Sequence, residues 1–241
     1  MATAPQPDPR ASAVITKISA PRFAPYLAAA GGNAKDALRL YQWNIDVSGA
    51  LYESLHFVEV VLRNAIDERL CAWNAEQPNA SGQGAHGRDW LIDPAPLLRR
   101  LAGKDIAKAH AQAAKAVRRH RRTPGHPDVL AQLTFGTWRF LLPDRDPGRQ
   151  LLWAQALTDA FPHLRTSPAV LVEKVNGIYR LRNRIAHLEP LLRSGLVQNE
   201  FRSMRHLLAA IDPALEDWLV ARQRVTAVLR QRAGSNPSLP S

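Results

Sequence analysis

The chain has 241 residues, 46% of them apolar and 22% charged, enough apolar material for a sizeable core and too much for a chain disordered throughout. Its single cysteine, Cys71, excludes an intramolecular disulfide and a paired-thiolate zinc cluster and reads as a small buried apolar side chain, so no metal and no cofactor are expected. Thirty-two basic against 21 acidic residues leave a net +11, concentrated in residues 95–122 (+8), 178–206 (+4) and 221–241 (+4) over an acidic remainder. Clustered positive charge is the footprint of a chain that meets polyanions, nucleic acid before acidic membrane.

In chain order, residues 1–15 lack a periodic apolar stripe and are expected to be disordered, and the segment MATAPQPDPRASAV lacks the apolar block of a secretory signal. A first helix is expected from about Pro21 to Gly31-Gly32, where a proline can open it and two glycines close it. A long helix should follow from Ala34 to Trp73, with Ser48-Gly49 as the one place for a kink. Residues 77–87 read as a loop, 89–101 as a short element broken by Pro94 and Pro96, and 104–122 as a basic helix ended by Thr123-Pro124-Gly125. Further helices are expected over 128–142, 148–161, 167–187, 196–211 and 213–232, with a disordered tail at 233–241. No stretch alternates as a strand does, so the fold class is all-α, with residues 16–232 as one domain and 95–125 as a basic helical insertion. No apolar run approaches the roughly 18 residues that cross a bilayer; a cytoplasmic protein without a membrane partner is expected.

Three features carry chemistry. At 100° per residue, Lys104, Lys108, Lys115, Arg119 and Arg122 fall on one face of the basic helix, opposite Ile106, Ala109, Ala113 and Val117. Such a stripe suits a phosphate backbone, and it equally suits a solvated helix face. In the long helix, Leu51, Leu55, Val58, Leu62 and Ile66 form an apolar stripe, and Phe57, Val60 and Val61 widen it. A helix apolar on so many sides is expected to be buried, which requires Glu59 and Arg63, an i,i+4 pair of opposite sign beside Asn64, to be paired or to line a polar site.

The third feature is VEKVNGIYRLRNRIAHLEPLL. Its stripe Leu171, Val175, Ile178 continues to Arg182 and then Ile185, placing a guanidinium where a core residue belongs. Asn183 and His187 are i,i+4 neighbours, Arg184 is i,i+3 from His187, and Pro190 limits the helix so that His187 is expected in its last turn. A histidine, an arginine and an asparagine in one cleft can move a proton at a 2′-hydroxyl or 5′-oxygen, grip the phosphate and orient the imidazole. That set suits metal-independent RNA cleavage and excludes DNA, which lacks the 2′-hydroxyl. The structural alternative pairs Arg182 with Glu59, bonds Asn183 to a neighbouring backbone and leaves His187 as a helix cap.

The stretch YRLRNRIAHLEPLL, with LYQWNIDVSGALYESLHFVEVVLRNAID upstream and LTFGTWRFLL between them, resembles the bacterial Abi-like (abortive-infection) proteins of the HEPN superfamily over about residues 21–192. The resemblance implies a helical-bundle fold with additional helices. For active members it implies an Arg-x(4-6)-His ribonuclease motif in a cleft completed by a second copy. The motif falls on Arg182, Asn183 and His187, and the family's Glu-x3-Arg-Asn block falls on Glu59, Arg63 and Asn64. One departure is Leu188, where relatives often carry a second histidine. The Arg63-Asn64-x3-Glu68 stretch repeats the pattern with a carboxylate in place of imidazole, so one complete motif per chain implies a homodimer.

These readings converge on a toxin-like endoribonuclease of phage defence, a homodimer acting on RNA and restrained by a protein or RNA antitoxin. His187 is its acid or base, Arg182 its phosphate ligand, Asn183 the orienting group, and Glu59, Arg63, Asn64 and Arg184 supporting residues. The alternative is a helical module that binds RNA or a partner through Lys104–Arg122 without catalysis.

Overall fold

The computed structural model describes residues 9–79 and 82–235. Among them are eleven α-helices and no β-strand, so the fold is all-α. The chain divides into two compact units, where the sequence suggested one domain. The first gathers residues up to Leu55, Leu181–Phe201 and Arg222 onward; the second holds His56–Arg180 and Arg202–Ala221.

In the first unit, α1 (Pro9–Ile18) and α2 (Ala20–Ala29) pack together. Residues 9–15 are therefore helical rather than disordered, because Ile15 and Ile18 have a core to reach: they pack on Phe23, Tyr26, Ala37 and Leu40. The expected disorder of residues 1–8 lies outside the described residues. Gly31 and Gly32 stop α2 at φ 59° and 85°, a region that admits glycine without penalty. The Asn33 side chain then accepts the amides of Lys35 and Asp36 at 3.0 and 3.1 Å and caps α3 (Ala34–Asn74). This 41-residue helix runs unbroken through Ser48-Gly49. Also in this unit are the C-terminal end of α8 (Pro168–Ala186), the start of α9 (Ser194–Ile211) and α11 (Val225–Ser235). Trp43 donates to Val228 O at 3.0 Å, and the Arg232 guanidinium lies 4.5 Å from the Trp43 ring centre.

In the second unit, α4 (Pro96–Val117) is one 22-residue helix; Pro96 occupies its first turn, where a missing N–H is harmless, and opens it rather than breaking an earlier element. It packs against α5 (His126–Leu130), α6 (Phe135–Leu141) and α7 (Pro147–Gln155), so the basic stretch is built into the packing of this unit. Trp90, Leu91, Leu98, Phe135 and Trp138 are fully buried around it. Asp146 caps α7 through Gly148 and Arg149 amides at 2.8 and 3.1 Å and accepts both Arg100 nitrogens at 2.9 and 2.7 Å.

The expected helices 128–142, 148–161 and 213–232 are each divided. α5 and α6 part at residues 131–134; α7 gives way to a 3-10 turn at Leu157–Ala160; and α10 (Pro213–Arg222) is separate from α11. Gln223 makes the last break, its side chain accepting the Thr226 amide at 2.9 Å. α11 extends to Ser235, into the expected tail; residues 236–241 lie outside the described residues.

Candidate functional site

Along α8, Leu171, Val175, Ile178 and Leu181 are buried. The step from Ile178 to Leu181 keeps the stripe apolar, so Arg182 stands at its edge, half-buried, rather than in the core. Asn183 is also half-buried and His187 exposed.

α8 ends at Ala186, one residue before His187, correcting the placement of that histidine in the last turn. The His187 amide still donates to Asn183 O at 2.9 Å, so the residue caps the helix. Leu188 then takes φ 57°, its amide donating to Ile185 O at 3.0 Å while that of Glu189 reaches Arg184 O at 2.8 Å. This paired closure with a left-handed residue normally uses glycine. Leucine pays roughly 1–2 kcal/mol for that conformation, and Pro190 explains the stop because it biases Glu189 away from the helical region.

Four side chains hold the backbone that follows. Arg22 donates to Leu188 O at 2.9 Å; Arg184 donates to Pro190 O at 2.6 Å and pairs with Glu189 at 3.2 Å. The Leu191 amide donates to buried Asn44 Oδ1 at 2.6 Å, and Arg232 donates to Leu192 O. Arg184 is thus a positioning residue for the turn. By contrast, the Arg182, Asn183 and His187 side chains have no hydrogen bond or ion pair among the described residues. Beside this turn runs an apolar groove of about 1190 Å³, with Tyr41, Tyr52, Lys17, Arg22, Leu188 and Pro190 in its wall. Tyr52 is 63% exposed.

The supporting residues on α3 belong to the second unit. The stripe there is apolar and buried as expected, through Val58, Leu62, Ile66 and Leu70. Phe57, Val60 and Val61 are only half-buried, as are Glu59 and Arg63, while His56 and Asn64 are exposed. Of the two alternatives for Glu59 and Arg63, the ion pair is absent among the described residues; Arg63 Nε donates to Asn64 Oδ1 at 3.2 Å. Partial exposure removes the need for pairing that full burial would impose.

The basic stripe is partly as expected. Lys104, Lys108 and Lys115 are exposed on α4, and Ile106, Ala109, Ala113 and Val117 are buried on its other side. Arg119 and Arg122 leave the helical stripe, because α4 ends at Val117, a 3-10 turn spans Arg118–His120 and Arg121 is left-handed at φ 50°. Arg122 is committed to Asp128 by two bonds of 2.5 and 2.7 Å.

A cluster that the sequence pattern does not announce lies in the same unit. Asp67 and Cys71, one turn apart on α3, meet His126 at the start of α5: Asp67 Oδ1 lies 2.9 Å from His126 Nε2, and Cys71 Sγ lies 3.8 Å from Nε2 and 3.9 Å from Oδ1. Trp90 Nε1 donates to the same Oδ1 at 2.8 Å. Cys71 is half-buried among polar partners, not an apolar filler. Burial opposes charge on His126, but the Asp67 and Cys71 hydrogen bonds outweigh it and the imidazole is pushed up to about 10. The one sequence signal was the i,i+4 spacing of Asp67 and Cys71; His126 arrives from 55 residues away.

No helix among the described residues is long and apolar enough to cross a membrane. No family model, curated protein or solved structure matches the chain.

Proposed function

We propose that the chain is a metal-independent endoribonuclease of the abortive-infection, toxin-like kind, acting on RNA in the cytoplasm as a homodimer and restrained by a protein or RNA antitoxin. One observation carries the reading: among the described residues, Arg182, Asn183 and His187 carry no intrachain side-chain hydrogen bond or ion pair, while the backbone beyond them is fixed by Arg22, Asn44, Arg184 and Arg232. Polar groups without a partner in the chain, beside a backbone held in place, are available to a ligand.

In this reading His187 takes the 2′-hydroxyl proton or returns one to the 5′-oxygen. The 2′-oxygen attacks phosphorus and the P–O5′ bond breaks, leaving a 2′,3′-cyclic phosphate and a 5′-hydroxyl. Arg182 holds the phosphate and balances charge on its free oxygens, and Asn183 orients the imidazole or a phosphate oxygen. A second histidine for the opposite proton transfer would come from a second copy. Tyr41 and Tyr52 in the groove offer ring faces for unpaired bases, and Lys17 lies beside them.

The test is incubation of the purified protein in EDTA with an RNA oligonucleotide and its 2′-O-methyl counterpart. Cleavage of the first alone, with cyclic phosphate ends, is expected; no cleavage, or cleavage of both, contradicts the reading. Exposed Lys104, Lys108 and Lys115 favour a second reading, an RNA-binding module without catalysis. It requires charge reversal at the three lysines to abolish RNA binding while His187→Ala has no phenotype.

A further inference from the structure

Asp67, Cys71 and His126 present an oxygen, a sulfur and a nitrogen to one point. Their donor atoms lie within 4.8 Å of one another, and the separations are 2.9, 3.8 and 3.9 Å. Zinc bonds of about 2.3 Å to sulfur and about 2.0 Å to nitrogen and oxygen, at tetrahedral angles, place such donors about 3.3–3.6 Å apart. The triangle therefore closes on an ion of that size with shifts of about half an ångström.

We propose that Asp67, Cys71 and His126 bind a divalent transition-metal ion of the zinc class. Thiolate, imidazole and carboxylate together select a borderline-soft ion over magnesium or calcium. Two features outside the triangle point the same way. The buried His126 Nδ1 has no hydrogen-bond partner among the described residues, and an Asp89 carboxylate oxygen is 3.9 Å from it. A histidine that ligates through one nitrogen characteristically donates its other N–H to a carboxylate; at 3.9 Å Asp89 makes no such bond here and would close in when a metal binds. Trp90 Nε1, at 2.8 Å, fixes the Asp67 oxygen that faces the site. Three protein ligands leave a fourth position for water. The site uses none of Arg182, Asn183 and His187, so its failure leaves the ribonuclease reading untouched.

Cys71 is the only cysteine in the chain, which makes the test specific. Full-length protein stripped with EDTA and desalted is titrated with Co²⁺. One equivalent should bind and give a thiolate-to-cobalt charge-transfer band that Zn²⁺ abolishes, and Zn²⁺ should slow alkylation of Cys71. Cys71→Ser, nearly isosteric, should lose the band, and His126→Gln should weaken cobalt binding at least about tenfold. Absence of the band and of zinc protection in the wild-type chain overturns the proposal, as does a band that survives in Cys71→Ser.

Discussion

The end of α8 and the α3–α5 cluster both gather polar side chains, but they treat them in opposite ways. Asp67 accepts from Trp90 and His126, and Cys71 lies against both Asp67 and His126. At the end of α8, backbone groups engage Arg22, Asn44, Arg184 and Arg232, and the Arg182, Asn183 and His187 side chains have no hydrogen-bond or ion-pair partner among the described residues. In the chain without ligands, polar groups that bond one another act on stability, whereas polar groups left open on a fixed backbone act only through what they bind.

The largest expected effect is on the α3–α5 cluster, in the metal-free chain. Asp67→Ala leaves a buried imidazolium and the Trp90 N–H without their acceptor, and removing one partner of a buried pair is expected to destabilise by about 3 kcal/mol. Urea unfolding measures it, and a change under about 1 kcal/mol would erase the contrast between the two regions. Asn44→Ala follows. It strands the Leu191 amide and is expected to cost about 1–3 kcal/mol, loosening the turn after His187 and lowering the proposed activity without touching Arg182, Asn183 or His187. Leu188→Asn should act in the other direction, raising the unfolding free energy by roughly 0.5–1 kcal/mol, because asparagine accepts the left-handed conformation more readily. A melting curve decides its sign.

The smallest effect is a pH dependence. The Arg122 guanidinium and then the Gly125 amide hold the Asp128 carboxyl at about 2, below its ordinary value. A depressed carboxyl contributes stability that is present above its unfolded value, about 4, and lost as pH falls toward the folded one. Arg122→Ala should therefore flatten the acid-side fall of the urea midpoint between about pH 5 and pH 2.

What the sequence reveals of these two regions depends on distance along the chain. α3 was readable nearly to the residue, because its stripe is long, Asn33 caps it and no breaker interrupts it. The break before α11 was not, since Gln223 is an unusual cap and no proline or glycine marks the place. Arg182 stood out as a charge on an apolar stripe, but only packing shows that Leu181 takes the buried position and leaves the arginine at the edge. The holding of residues 188–192 by Arg22 and Arg232 depends on contacts 166 and 40 residues apart, and Cys71 meets His126 across 55. Periodicity carries no such information.

If the free trio reacts while the held backbone only positions it, activity and stability must separate at those three residues. Single-turnover cleavage of an RNA oligonucleotide by wild-type, His187→Ala and Arg182→Ala chains, each with its unfolding free energy, measures that separation. Both variants are expected to stay within about 0.5 kcal/mol of the wild type in stability and to cleave at least about 100-fold more slowly. Wild-type rates in a folded His187→Ala chain would contradict the assignment.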